Sequence, residues 1–482
     1  MLQTLKNAWS TKEIRSKILF TFFILLIYRV GAVVPVPFVN SNGFGASLDG
    51  TILEYMDILS GGSMSSLTLF ALGVQPYINA SIILQLLAVV FPKLGELGKT
   101  DKKKMNLITR LVTVGLAVVT AIGYYFLLRN GGGNYETFLT HRAYYGNMSW
   151  FYGIVIVVCY TAGASLVMWL AERINERGIG NGVSVILFAN IVVSVPQFII
   201  KLGTFVYDSY TYQENVALYA SITTVFAIVL VAFLLALIAF VIFVTGSERR
   251  IPVQYAKKVV GRKMYGGQST NLPIKLNMTG VMPIIFASSI VSFIPTVLQI
   301  VGSALDGGLP KGLQTFAEVI GPNGVVYPIL LFILIIGFAY FYTQITFDPI
   351  EVANNLKKNG GAIPGIRQGR PTADHIRKIL NKITLAGALF LSFIAIVPTL
   401  LGPHVFTPLF QWIREGAYVE FINLGGFYES YGSSLAANDA AGLAGVFTFG
   451  GTTLLIVVGV AIETFRELEA QLTMRNYKGF LN

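Results

Sequence analysis

The feature that most constrains this chain is a succession of long apolar runs. They fall at about 18–36, 73–91, 106–128, 150–171, 183–200, 217–245, 280–301, 325–347, 383–401 and 446–462, each near or above the ~20 residues a helix needs to cross hydrocarbon. Inside a bilayer only helices and closed barrels satisfy every backbone polar group, so ten such runs predict an all-α polytopic membrane protein with ten transmembrane helices. Composition agrees, with 54% hydrophobic and only 12% charged residues against roughly 25% charged in soluble domains. The first run follows Lys6, Lys12, Arg15 and Lys17 as a signal peptide would, but it passes into "VVPVPFVN" without a small-residue cleavage site and is read as a retained span.

Ten alternating spans place both termini and the even-numbered loops on one side. Arg129, Arg142, Lys201, Lys311 and Arg414 fall on the other side and Arg29 within the first span, which leaves 29 of the 35 Lys and Arg residues on the first. That side is the cytoplasm by the positive-inside rule. Acidic residues divide 12 and 12, so the cytoplasmic side carries +17 and the outer side −7, and Arg29 completes the net +11. The single cysteine, Cys159, lies within a span and excludes an intrachain disulfide. The sequons at Asn79, Asn147 and Asn277 fall in a span, an external loop and a cytoplasmic loop, and read as chance matches.

Two cytoplasmic loops, about 246–279 and 347–382, each carry seven basic residues. Topology alone needs only a few charges near span ends. Here "LPIKLN" and "GGAIPGIRQG" interleave glycine, proline and apolar residues, which predicts ordered loops that present a docking surface. The outer loops look like connectors, the longest being about 402–445.

An internal repeat is more informative. "VQPYINASIIL" (74–84) aligns without gaps to "VMPIIFASSIV" (281–291), matching Val74 to Val281, Pro76 to Pro283, Ile78 to Ile285 and Ala80-Ser81 to Ala287-Ser288. The copies lie five spans apart. Five is odd, so the second enters from the opposite side, which predicts two inverted halves with a functional site at their interface.

Enzyme signatures fail. "KLGELGKT" (93–100) has Lys93 where a phosphate-binding loop needs glycine, "GIGNG" (178–182) follows no strand, and His141, His375 and His404 lack metal-ligand spacing. No metal or cofactor is expected. A secondary transporter would suit inverted repeats, but no carboxylate sits mid-span, and the one clear intramembrane charge, Arg29, either snorkels outward or pairs inside the bundle. An ion-independent solute transporter and a membrane docking scaffold remain as alternatives. A channel for large, varied cargo fits better, since it needs small and amide residues along its wall and a narrow apolar constriction. Pro76 and Pro283 are expected to kink or break their helices, and Val74 and Ile78 lie one turn apart on one face. Gln75, Asn79, Ser81 and Gln85 in one copy, with Ser288 and Ser289 in the other, are candidates for holding two helices together reversibly, by hydrogen bonds worth about 1 to 2 kcal/mol each at most.

Ile52 to Phe91 would be about 60 Å long as one helix, twice the ~30 Å of hydrocarbon. A short helix ending near "SGGS" with a return through "SLTLFALG", or a surface helix favoured by Glu54 and Asp57, both accommodate it.

"GVQPYINASIILQLL" (73–87), "MWLAERINERGIGNGVSVILFANIV" (168–192), "IPVQYAKKVVGR" with "GGQSTNLPIKLN", "NNLKKNGGAIPGIRQG" (354–369) and "FGGTTLLIVVGVAIET" (449–464) resemble, in order and from the first span to the C-terminal tail, the SecY/Sec61-alpha family of protein-translocon channel subunits. The resemblance implies a clamshell of two inverted pseudo-symmetric halves, residues 1–203 and 204–482, that conducts unfolded proteins and releases membrane segments sideways into lipid. It implies a pore ring of Val74, Ile78, Val183, Leu187, Ile285 and Ile456. It implies a re-entrant plug at about 52–70 that includes Tyr55, Ile58, Leu59, Gly61, Gly62, Ser63, Ser65 and Leu67. A lateral gate is expected between spans 2 and 3 on one side and 7 and 8 on the other, with the six amide and serine residues named above along it. The basic loops would receive the ATPase SecA or the ribosome through Arg249, Arg250, Lys257, Lys258 and Arg367. Further implied partners are SecE and SecG in a heterotrimer, signal sequences, preproteins and lipid, with no nucleic acid except through the ribosome, in a multi-pass cell-membrane protein whose termini are cytoplasmic. Two features depart from the family: Gln368 stands where Ile-Arg-Pro-Gly is common, and the 402–445 stretch is longer than in many relatives.

Overall fold

The computed structural model describes residues 2–48, 52–130, 137–145, 148–211, 217–255, 258–260, 263–265, 269–304, 310–321, 324, 326–401 and 451–478. The N-terminal part contains α1 (Leu2–Ser10), α2 (Lys12–Gly31), α3 (Phe44–Leu48), α4 (Ile52–Ser60), α5 (Gln75–Val90), α6 (Pro92–Thr100), α7 (Lys102–Asn130), α8 (His141–Tyr145), α9 (Ser149–Arg177) and α10 (Gly182–Thr211). Then come α11 (Ala217–Gly246), strands β1 (Glu248–Tyr255), β2 (Lys258–Val260), β3 (Lys263–Tyr265) and β4 (Ser269–Lys275), and α12 (Met282–Ala304). The remainder is α13 (Lys311–Ile320), α14 (Val326–Thr346), α15 (Pro349–Lys358), β5 (Gly361–Ala362), α16 (Arg370–Leu401) and α17 (Gly451–Lys478).

Ten long helices, α2, α5, α7, α9, α10, α11, α12, α14, α16 and α17, fall on the ten apolar runs. Among the described residues, seven of them are long and apolar enough to cross a membrane by themselves, and α5 makes an eighth with α6, from which it is bent by 119°. The other two carry charge, α2 in its first turns at Lys12, Glu13, Arg15 and Lys17 and α17 from its middle onward at Glu463, Arg466 and Glu467. The helices offer lipid exposed apolar side chains such as Phe22, Val119, Val158 and Phe243, and α7 and α9 turn small residues inward, Ala117, Ala121 and Gly123 on one and Gly153, Gly163, Ala164 and Ala171 on the other, as expected where helices associate by close packing rather than by escape from water.

The two repeat copies have the same local build. Gly73 (φ +54°) precedes Val74 and Gly280 (φ +64°) precedes Val281, a left-handed conformation that glycine adopts without steric cost. The Tyr77 and Ile78 amides donate to the Val74 carbonyl, and the Ile284 and Ile285 amides donate to the Val281 carbonyl, all at 3.0–3.1 Å. Pro76 and Pro283 are each the second residue of their helices. The expected kink is therefore absent: at that position the missing N–H is one the helix never uses, so the prolines start helices rather than breaking them.

The basic loops add strands to an otherwise helical molecule. β1 pairs antiparallel with β4, from Glu248↔Lys275 to Gln254↔Ser269, and β5 of the second loop joins the other edge of β1 through Gln254↔Ala362 and Tyr255↔Gly361. Ile251, Val253, Ile274, Ile363, Ile376 and Leu380 close a small core beneath this sheet. The side chains of such a core contribute about 1.5 to 3 kcal/mol each when removed from water.

Candidate functional site

Val74, Ile78, Leu187, Ile285 and Ile456 are each 3% exposed or less and belong to one apolar cluster, with half-buried Val183 packed against it. Four helices bring them together. α5 and α12 contribute their first turns, α10 places Val183 and Leu187 one turn apart, and α17 adds Ile456. Tyr55 and Leu59 of α4 lie in the same cluster.

α4 is buried against α10 and α12, which decides between the two accommodations of the 52–91 stretch in favour of the re-entrant one. The helix ends at Ser60, and the chain reverses through Gly61 (φ +69°) and Gly62 (φ +80°). Asp57 holds this turn closed: its Oδ1 accepts the Ser65 amide at 2.8 Å, and its carbonyl accepts the Gly62 amide at 3.0 Å. Ser63 and Leu67 are buried, Ile58 and Ser65 half-buried, and Pro35 bridges Thr68 on the way back to α5. Irregular backbone of this kind is tolerated at membrane depth only when protein surrounds it. Arg29 turns inward, its Nη1 donating to the Gly61 carbonyl at 3.3 Å, so of the two fates open to it, it takes the pairing one.

α12 packs on both α5 and α7. Gln75, Asn79, Ser81 and Gln85 are half-buried on α5, and Ser288 and Ser289 are buried on α12. These six do not pair with one another across the seam. Ser288 donates to its own helix, to the Ile285 carbonyl at 3.1 Å, and Gln85 Nε2 donates to Ser81 Oγ at 3.0 Å. The cross-seam bond comes from a residue outside the sequence set: the Tyr342 hydroxyl of α14 donates to Gln85 Oε1, while its ring lies 5.2 Å from that of Phe286 on α12. Tyr342 sits within "FAYFYTQ" near the C-terminal end of its span, and only its polar tip among aromatic neighbours marked it. Asn190, the one amide in α10's "VSVILFANIVVSV", was likewise unremarked, although a buried amide in a span demands partners.

In the two basic loops Arg249, Arg250 and Arg367 are exposed, with Arg250 Nε donating to Glu248 Oε1 at 2.7 Å. Lys258 is in β2; Lys257 lies outside the described residues, as does the stretch 402–445. Gln368 shapes the turn that carries Arg367. Its Nε2 donates to the Gly361 carbonyl at 3.1 Å, a bond proline cannot make, and Thr372 Oγ1 caps the Arg367 carbonyl at 2.8 Å. At the base of the hairpin, partial burial and the neighbouring Arg466 guanidinium hold the Lys275 ammonium below its ordinary pKa. Arg466 Nη2 in turn donates to the Thr245 carbonyl at the end of α11, at 2.7 Å.

A multi-pass helical bundle that packs around a buried apolar cluster and folds a short helix onto it has the fold of membrane channels through which proteins pass. A solved protein-conducting channel matches with a TM-score of 0.57 at 17% identity, over 95% of this chain and 92% of its own. A SecY structure described for a plug domain that stabilises the closed state matches with a TM-score of 0.56 at 17% identity and the same coverage. The chain belongs to the SecY family, whose sequence model matches residues 68–465. Full-length relatives include the protein translocase subunits SecY of Mycobacterium tuberculosis, 39% identical over 495 residues, and of Streptomyces coelicolor, 37% identical over 491, each covering 100% of both chains. These relatives do not favour the solute transporter.

Proposed function

We propose that the chain is the central subunit of a protein translocation channel in the cell membrane, conducting unfolded secretory proteins across it and releasing membrane segments sideways into lipid. The observation that carries this is the convergence of six aliphatic side chains from four helices, five buried in one cluster and Val183 packed against it, with α4 folded onto them. An aliphatic ring has no charge to select by, can part around varied cargo, and limits ion flow by dewetting when closed.

In this proposal Val74, Ile78, Val183, Leu187, Ile285 and Ile456 form the constriction, and α4 with its return segment forms the plug. α5 and α7 on one side and α12 and α14 on the other form the lateral gate, held by polar contacts weak enough to be remade. The two halves, about 1–203 and 204–482, hinge apart around this centre. Arg249, Arg250, Lys257, Lys258 and Arg367 receive the ATPase SecA or the ribosome on a cytoplasmic face that also holds both termini. SecE and SecG complete the complex, and signal sequences open it. The chain performs no catalysis and draws energy from its motor or from the membrane potential.

Vesicles reconstituted with this chain and the two small subunits test the proposal. Uptake of a secretory preprotein that requires SecA and ATP supports it. No uptake under conditions where a known homologue works refutes it.

A further inference from the structure

The end of α4 is met by polar groups from two helices. Asn190 Nδ2, on α10, donates to the Leu59 carbonyl at 2.8 Å and to the Tyr28 hydroxyl of α2 at 2.9 Å. Arg29 Nη1, also on α2, donates to the Gly61 carbonyl. The carbonyls in the last turn of a helix lack intrahelical partners and form its negative end, so an amide and a guanidinium complement them both chemically and electrostatically. The fit is close, since a Cβ on Gly61 would lie 3.0 Å from Asn190 Oδ1 and 3.1 Å from Arg29 Nη1. The Tyr28 ring also stacks on Phe70 of the return segment, with centroids 5.3 Å apart. Toward α12 the contact is of another kind: Thr296 Oγ1 donates its one proton to the Ser292 carbonyl of its own helix at 2.7 Å and only touches the Met56 thioether, at 3.5 Å, and Tyr55 packs into the shared apolar cluster.

We propose that Asn190, supported by Tyr28 and Arg29, is a clasp that fastens the C-terminal end of α4 to α2 and α10. Asn190 is then a positioning residue for the seal. α4 stays with the α2 and α10 side when α12 moves away, and it leaves the constriction only when the Asn190 bond to Leu59 breaks. This rests on α4 being the plug.

The test is the resting ion conductance of vesicles holding the full-length chain with its small subunits, read beside export of a preprotein with a defective signal sequence. Asn190→Ala removes both donated bonds, and the net contribution of two neutral hydrogen bonds sets the expected rise in conductance at about tenfold or more. Export of the defective preprotein should rise with it, while the amount of chain in the membrane and export of an intact preprotein stay normal; a merely structural defect would lower both. Tyr28→Phe removes one hydroxyl and should give a smaller rise of the same kind. If Asn190→Ala does not insert, Tyr28→Phe and Gly61→Ala, which crowds the clasp, carry the test. A chain lacking residues 52–60 separates the two ideas. Raised conductance in the deletion with unchanged conductance in the point variants overturns the clasp and leaves the plug standing, whereas unchanged conductance in the deletion overturns the plug itself.

Discussion

Tyr342→Phe is the sharpest single perturbation of the proposed gate. It deletes one oxygen and leaves the ring that packs beside Phe286. What is lost is the bond to Gln85 Oε1, which ties α14 to α5. Gln85 Nε2 keeps its bond to Ser81, and the acceptor left open, Gln85 Oε1, is on a half-buried residue, so the change approximates the removal of one interaction. Hydrogen bonds between spanning helices average about 0.6 kcal/mol and reach about 1.7, which moves the closed-to-open ratio about 3- to 18-fold toward open. The assay is export of preproteins with a graded series of weakened signal sequences, with cross-linking of cysteines placed on α5 and α14 as a direct measure of closure. Export of the weaker members should rise by that factor and cross-linking should fall. Gln85→Leu removes the same cross-helix bond together with Gln85's own bond to Ser81, and combining it with Tyr342→Phe should add little to Gln85→Leu alone, since the shared bond is already gone. Full additivity, or unchanged export at equal membrane abundance, refutes the latch.

Three further outcomes follow from the described contacts. Replacing Ile78, Ile285 or Ile456 with asparagine should raise ion leakage and loosen signal-sequence selectivity, measured by conductance and by export of mutant preproteins. Arg367→Glu should abolish SecA-driven export while leaving the chain inserted at normal levels, measured by vesicle uptake and membrane fractionation. Ile376→Ala, at a fully buried site under the sheet of the two basic loops, should cost about 2 to 5 kcal/mol locally. Limited proteolysis should then cut both basic loops faster while the spanning helices stay protected.

Much of the fold was legible because lipid leaves a chain few choices: each apolar run had to become a helix, and each long helix lies where a run stood. The repeat was legible as well, down to the valines that begin each copy, although the prolines were misjudged. A proline within an apolar run looks like a kink from sequence; whether it is the second residue of a helix or the tenth depends on where the preceding glycine takes a positive φ. Reversal of the chain at "SGGS" was legible as a problem of length but not as a solution, because burial by α10 and α12 is a tertiary fact. The six aliphatic residues came from family resemblance, and their shared burial could not be read from any one segment. The seam was harder still. Serines in spans had two equally available acceptors, a neighbouring helix or their own backbone, and Ser288 took the latter. The bond that does cross the seam needed the tyrosine of a helix some 250 residues distant from Gln85, as its separation of 257 shows.

The strand pairing between the two basic loops has a mechanical meaning. β5 is hydrogen-bonded to β1, and Ile363, Ile376 and Ile251 share one core, so a partner that grips Arg367 also holds the hairpin that carries Arg249 and Arg250. The loops act as one handle with two roots, between α11 and α12 and between α14 and α16. Both roots lie in the C-terminal half. In the proposed clamshell, load applied at the handle therefore enters through one jaw and reaches the other by way of α12, which packs on α4, α5 and α7.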